Sequence, residues 1–262
     1  MWAVRDELWQ VFRELLPHRE PRATGRPRVP ERTAFNAVVY VLVTGIAWRH
    51  LPREFGCSPA TAHRRFQEWQ RAGLLERLHQ ELLRRLNAAG RIDWSRGVID
   101  GSHVRAPGRG GCTGPSPVDR ARAGSKHHLL TDATGVPLAV SLTGGNRNDV
   151  TQLLPLIDGL GPVRGKPGRP RQRPERLLAD RGYDHDRYRR ALRARGVRPV
   201  IARRRTGHGS GLGRQRWVVE RTLAWLHNFR RLRTRYERLA ELHLAFLHLG
   251  CALICWRMLR WP

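Results

Sequence analysis

Lysine is almost missing from this chain of 262 residues. Of its 49 basic side chains only Lys126 and Lys166 are lysines, and the other 47 are arginines. A GC-rich coding sequence accounts for arginine in place of lysine. It does not account for the shortage of acids: 22 Asp and Glu leave a formal net charge of +27. Such a surface repels itself and is drawn to polyanions, so the balance points to a nucleic-acid partner. Cysteine is also scarce. The four present, Cys57, Cys112, Cys251 and Cys255, have no zinc-finger spacing, which excludes a cysteine-built zinc module; Cys251 and Cys255 sit one helical turn apart as buried thiols. A reducing, cytoplasmic setting fits. Long apolar runs are confined to residues 242–259, where His243, His248 and Arg257 interrupt the stretch, so a buried helix is expected and no membrane partner. The opening MWAVRDELWQVFRELL is amphipathic and does not read as a signal peptide.

Helical periodicity dominates residues 1–90. Leu8, Val11, Phe12, Leu15 and Leu16 mark a first helix with Asp6 at its start, and residues 31–49 make a second that is apolar on most sides. Ser58-Pro59 is a cap followed by proline at the first helical position, with Ala62, Phe66 and Trp69 as the core stripe and Gly73 as the stop. A fourth helix runs over 74–86. The pattern changes at Arg91. GVIDGSHVRA reads as a strand, SKHHLLTDATG and VPLAVSLTGG as a hairpin turning at 132–135, and 149–158 as a helix. After a basic Pro/Gly linker come a strand at RLLADRG, a helix over 186–195, a strand at VRPVIARR and closing helices from about Gln215. Residues 1–90 are therefore expected as an all-helical domain and 91–262 as an α/β domain with a mixed sheet flanked by helices.

Three acids each close an apolar run: Val98-Ile99 leads to Asp100, Leu177-Leu178-Ala179 to Asp180, and Trp217-Val218-Val219 to Glu220. A carboxylate that near buried positions is costly unless it is paired or bound to a cation. The ordinary alternative is that each pairs with one of the many arginines. The other reading is a shared cleft holding two divalent ions, Mg²⁺ or Mn²⁺, of the kind that drives phosphoryl transfer. Asp132 reads as a turn residue, Asp149 as a cap, and Asp184 and Asp186 as surface or capping acids.

VIDGSHV, LLADRGYD and RWVVERTLAWL, in this order, resemble the three catalytic blocks of bacterial insertion-sequence transposases of the DDE type, and residues 114–150 resemble the stretch between the first two. The resemblance covers almost the whole chain. It implies a ribonuclease H-like fold, Asp100, Asp180 and Glu220 as catalytic metal ligands, cleavage at the element's ends, and transfer of the freed 3′-hydroxyl into target DNA. It also implies two or more copies of the chain bridging two DNA ends. The family's third block often carries Tyr, Arg, Glu and Lys; Arg216 and Glu220 keep their register here, while Gly213 and His227 stand at the other two positions. A nuclease without strand transfer and an inactive DNA-binding repressor are the alternatives.

Residues 31–71 resemble a helix-turn-helix, with Thr61, His63, Arg64, Arg65, Gln67 and Arg71 around the second helix's apolar stripe, placed to meet the double-stranded terminal repeats. Lys126, Arg181, Arg216, Arg230 and Arg231 are further candidates for phosphate contact. The Gly-Arg-Pro-Arg strings at 25–28 and 168–171 read as solvated linkers. Trp217 and Trp225 are expected in the core, and His127 and His128, adjacent in a strand, on opposite faces.

Overall fold

The computed structural model describes residues 3–18, 27–205, 211 and 213–260. The loop string at 25–28 lies partly outside these residues, as does part of the Gly/Arg/His loop before residue 213.

Four helices come first: α1 (Asp6–Leu15), α2 (Glu31–Thr44), α3 (Pro59–Arg71) and α4 (Leu74–Ala88). Asp6 sits inside α1 rather than capping it. The second helix stops short of its expected end because Gly45 takes a left-handed φ of 72°, and a Cβ there would meet Arg230 Cβ at 2.8 Å. Ser58 caps α3 as expected, its Oγ accepting from Thr61 N at 3.2 Å.

The second half builds the sheet from β1 (Gly97–Arg105), β2 (Gly114–Pro115), β3 (Ala123–Thr131), β4 (Pro137–Gly144), β5 (Arg176–Ala179) and β6 (Arg198–Ile201). Its order is β2-β3-β1-β5-β6, with β4 also paired to β3. β1, β3 and β4 run as an antiparallel meander, and β5 and β6 extend it in parallel beside β1. This is the mixed, helix-flanked sheet that the ribonuclease H-like expectation requires. The hairpin between β3 and β4 turns on Asp132, whose buried carboxylate accepts from the N–H groups of Asp93, Thr134 and Val136. The helices of this half are α5 (Leu153–Asp158), α6 (Asp186–Ala194), α7 (Gly213–Asn228), α8 (Arg230–Arg233) and α9 (Ala240–Arg260). The two-residue β2 is too short to leave a pattern in the sequence.

Residue 90 marks a change of architecture but no break in packing. One hydrophobic core runs through both halves. Phe66 of α3 stacks on Phe246 of α9 at 4.2 Å between ring centroids, and Arg231 donates to the Ile46 carbonyl at 2.9 Å. α9 is long and apolar enough to span a membrane by length and composition, yet 67% of that apolar window is buried inside the protein. Cys251 and Cys255 lie fully buried on it.

Candidate active site

The parallel register of β1 and β5 aligns the first two acids. Val98 pairs with Leu178, and Asp100 and Asp180 each follow that pair by two residues. Period-two alternation then points both side chains to one face, on neighbouring strands about 4.8 Å apart. Asp180 also starts the short turn Arg181–Tyr183, its Oδ1 accepting from Gly182 N at 2.8 Å. Glu220 lies on α7, which packs against β1, one turn beyond Arg216.

The acids feel one another. Burial pushes the Asp100 carboxyl up to about 6, and the charges of Asp180 and Glu220 add to the rise. The Gly101 N–H, 2.8 Å from Asp100 Oδ1, and Arg216, whose guanidinium donates to Asp100 Oδ2 at 3.2 Å, work against it. An all-oxygen donor set whose members repel one another suits a hard divalent cation, which relieves that repulsion. Among the described residues no three His, Cys, Asp or Glu groups already form a metal cage.

The other face of β1 carries residues that the sequence did not single out as a group. A Cβ on Gly101 would lie 3.0 Å from Asp149 Oδ1 and 3.2 Å from His128 Nδ1, so glycine lets both approach the strand beside Asp100. Asn148, and not Asp149, caps the following turn, accepting from Val150 N. Asp149 instead meets Lys126 Nζ at 3.0 Å, and Lys126 donates to the Arg147 carbonyl at 2.8 Å. His128 is fully buried, its Nε2 at 2.7 Å from Thr143 Oγ1. Burial drives its pKa down to about 4. Tyr183 lies on the turn that Asp180 opens, which packs against the turn beginning at Asp149. Its ring is in the core, its hydroxyl has no hydrogen-bond partner, and burial together with the charges of Asp100, Asp149 and Asp180 holds its pKa well above the usual value. Leaving a buried hydroxyl unpaired costs about 1–3 kcal/mol.

The candidate DNA contacts divide by exposure. Arg64, Arg71 and Arg230 are exposed, and Arg181 and Arg216 half-buried. Arg64 borders a cleft of about 550 Å³ at the start of α3, together with Arg28 and Thr61. Arg65 is 3% exposed and lies between Glu68, at 2.8 Å, and Glu31, at 3.6 Å, so it braces α3 from within instead of reaching outward. Arg231 is buried too. It pairs with Glu237 at 2.7 Å, and Glu237 faces His243 Nδ1, whose Nε2 lies 2.9 Å from His127 Nε2. Both arginines were candidates only because charge alone does not separate a brace from a surface contact. Lys126 is buried on the Asp149 side of the cleft. Asp184 likewise leaves the surface: it is 8% exposed and pairs with Arg189 at 2.6 Å. Trp217 is 50% exposed, contrary to a core role, and Arg221 lies over its ring and that of Trp225 at 4.6 and 4.5 Å.

Residues 94–255 match the family model described as Transposase DDE domain, and residues 4–79 match Putative transposase of IS4/5 family. The chain is 70% identical over 148 residues to a putative transposase for insertion sequence element IS402 from Burkholderia cepacia, covering 56% of this chain and 70% of that protein. It is 45% identical over 118 residues to an uncharacterized 16.2 kDa protein of the same element, covering 44% and 80%. A putative transposase for IS6501 from Brucella ovis is 28% identical over 137 residues, covering 50% and 96%. Among solved structures, a pre-cleavage Mos1 transpososome aligns with 94% of this chain and 83% of its own at 11% identity and a TM-score of 0.29, too slight a likeness to bear weight. With a family model spanning the sheet, its flanking helices and all three acids, the chain belongs to the DDE-domain transposases of bacterial insertion sequences.

Proposed function

We propose that this transposase cuts its element's ends at the cleft of Asp100, Asp180 and Glu220 and joins the freed 3′-hydroxyl to target DNA. The observation that supports this most is that the DDE-domain family match spans all three acids, with Asp100 and Asp180 in register on β1 and after β5 and Glu220 on the helix packed against β1. Asp100, Asp180 and Glu220 would hold Mg²⁺ or Mn²⁺, as two ions, which neutralise charge at the phosphate and polarise the attacking water. Arg216, on the same helix as Glu220, is placed to give its guanidinium to a DNA phosphate in exchange for Asp100. The cleft by α3 and the exposed Arg64 and Arg71 would take the phosphates of the terminal repeats. Two copies bridge the two ends, acting on DNA in the bacterial cytoplasm.

The test is a reaction of purified protein with Mg²⁺ or Mn²⁺ and labelled duplexes spanning the DNA that flanks its own coding sequence, with a plasmid as target. Labelled ends joined to the plasmid are expected. Nicked ends without joining make the chain a nuclease. Binding without cleavage in either metal makes it a repressor.

A further inference from the structure

We propose that the Tyr183 hydroxyl is a further catalytic group of this cleft: a hydrogen-bond donor that meets a non-bridging oxygen of the scissile phosphodiester. The inference rests on the reading of the three acids given above.

Tyr183 closes the turn that Asp180 opens, its N–H lying 3.2 Å from the Asp180 carbonyl, so its place relative to that acid is fixed by backbone. The turn packs against the one that begins at Asp149, and Asp149 in turn abuts Gly101, the residue after Asp100. The residue is thereby fixed next to Asp180 and near Asp149 and Gly101, and the charges of Asp100, Asp149 and Asp180 reach its hydroxyl. All three have carboxylate oxygens, yet none accepts a hydrogen bond from it.

A purely packing role fits poorly. Of the chain's four tyrosines this is the one that is buried, at 1% exposure. Phenylalanine would fill the same space without stranding a polar atom. Unsatisfied buried groups of this kind concentrate where an incoming ligand completes them. An oxygen entering among the acids would meet in this hydroxyl a neutral donor that has no partner. Lys126 and Arg216, the charged donors nearby, are already engaged by Asp149 and Asp100. The hydroxyl has no hydrogen-bonded base to take its proton, so it serves as a donor and exchanges no proton. Its contribution is to charge that grows on the phosphoryl oxygens as the attacking and departing oxygens pass in line.

Tyr183→Phe removes the oxygen and keeps the ring. The variant is expected to melt within a few degrees of the parent and to shift labelled end duplexes in gels at the same concentration. It should cleave them on the order of 100-fold more slowly in Mn²⁺. A second readout separates contact from structure. Sulfur at one of the two non-bridging positions of the scissile phosphate accepts hydrogen bonds weakly. It should therefore slow the parent more than it slows Tyr183→Phe, because both changes remove one interaction. Parental cleavage by Tyr183→Phe, or sulfur effects equal in the two proteins at both positions, would overturn the proposal. Asp100→Asn run alongside reports on the underlying reading. If that variant cleaves normally, the acidic site itself is misassigned; if it is inert while Tyr183→Phe cleaves normally, only the tyrosine falls.

Discussion

Arg216 and Asp100 are held together at 3.2 Å by an ion pair between α7 and β1, so the counter-charge that Asp100 keeps comes from the helix that also carries Glu220. That pair does not outweigh burial and the other acids. Asp100 still titrates near 6, above its ordinary 3.8.

The sign of that shift makes Asp100 a liability to the metal-free fold. Between about 3.8 and 6 the folded chain keeps a proton that the unfolded chain has released, so stability falls as pH rises through this window and stays reduced above it. Asp100→Asn is therefore expected to stabilise the metal-free protein at pH 8 by about 1–3 kcal/mol, the full shift less the lost arginine pair, and by much less at pH 4. Urea unfolding in EDTA at both values checks this. Mn²⁺ should raise the melting temperature of the parent and fail to do so in the variant.

Arg65 and Arg64 are neighbours in sequence with opposite expected phenotypes. Arg65→Met takes away the charge shared by Glu31 and Glu68 and should cost about 2 kcal/mol in urea unfolding, given that both acids are partly solvated. Arg64→Ala should leave stability within about 0.5 kcal/mol. It should weaken binding to end duplexes and lower the salt slope of that binding by about 1.

Buried histidines set the acid limit. His79 donates its Nε2 hydrogen to the Pro137 carbonyl at 2.7 Å, and burial lowers its pKa to about 3; His248 beside it is lowered to about 4. Both must stay neutral in the fold while the unfolded chain takes up protons below about 6.5. Stability is therefore lost as pH falls below 6.5, at up to about 1.4 kcal/mol per pH unit for each group until its folded pKa is reached. Replacing His79 with Gln should flatten the slope of unfolding free energy between pH 6 and 4. An unchanged slope would remove His79 from the account.

Gly101→Ala tests the close approach beside Asp100. The new methyl would press on Asp149 Oδ1 at 3.0 Å and His128 Nδ1 at 3.2 Å, so one of them must yield by a few tenths of an ångström. End binding should be unchanged while cleavage falls about tenfold or more, because small misplacements near reacting groups are costly. Single-turnover cleavage compared with gel-shift affinity reads the two separately.

Most of the elements, and the places where they carry the three acids, were legible in the sequence because each rested on a local pattern. Ser58-Pro59 announced α3, alternation in 97–105 and 123–144 announced the meander, and the apolar runs before Asp100, Asp180 and Glu220 marked where strands and helix deliver an acid. What escaped depended on partners far along the chain. Arg65 and Arg64 look alike until Glu31 and Glu68 close around one of them. Asp149 looks like a helix start until Lys126 and Gly101, more than twenty residues away, are brought against it. Tyr183 lay in plain view immediately before Asp184, but an unpaired hydroxyl is a property of surroundings and leaves no mark on composition.

The unbroken core that joins α3 through Phe66 and Phe246 to the helix flanking the sheet gives the chain the rigidity of a ruler. On the proposed seating of a DNA end on α3, that end lies at a set reach from the three acids, with packed core between them. The count of base pairs from the bound repeat to the cut is then a dimension of the protein. Extending or trimming the DNA between them by a single pair should misplace the phosphate rather than move the cut with it.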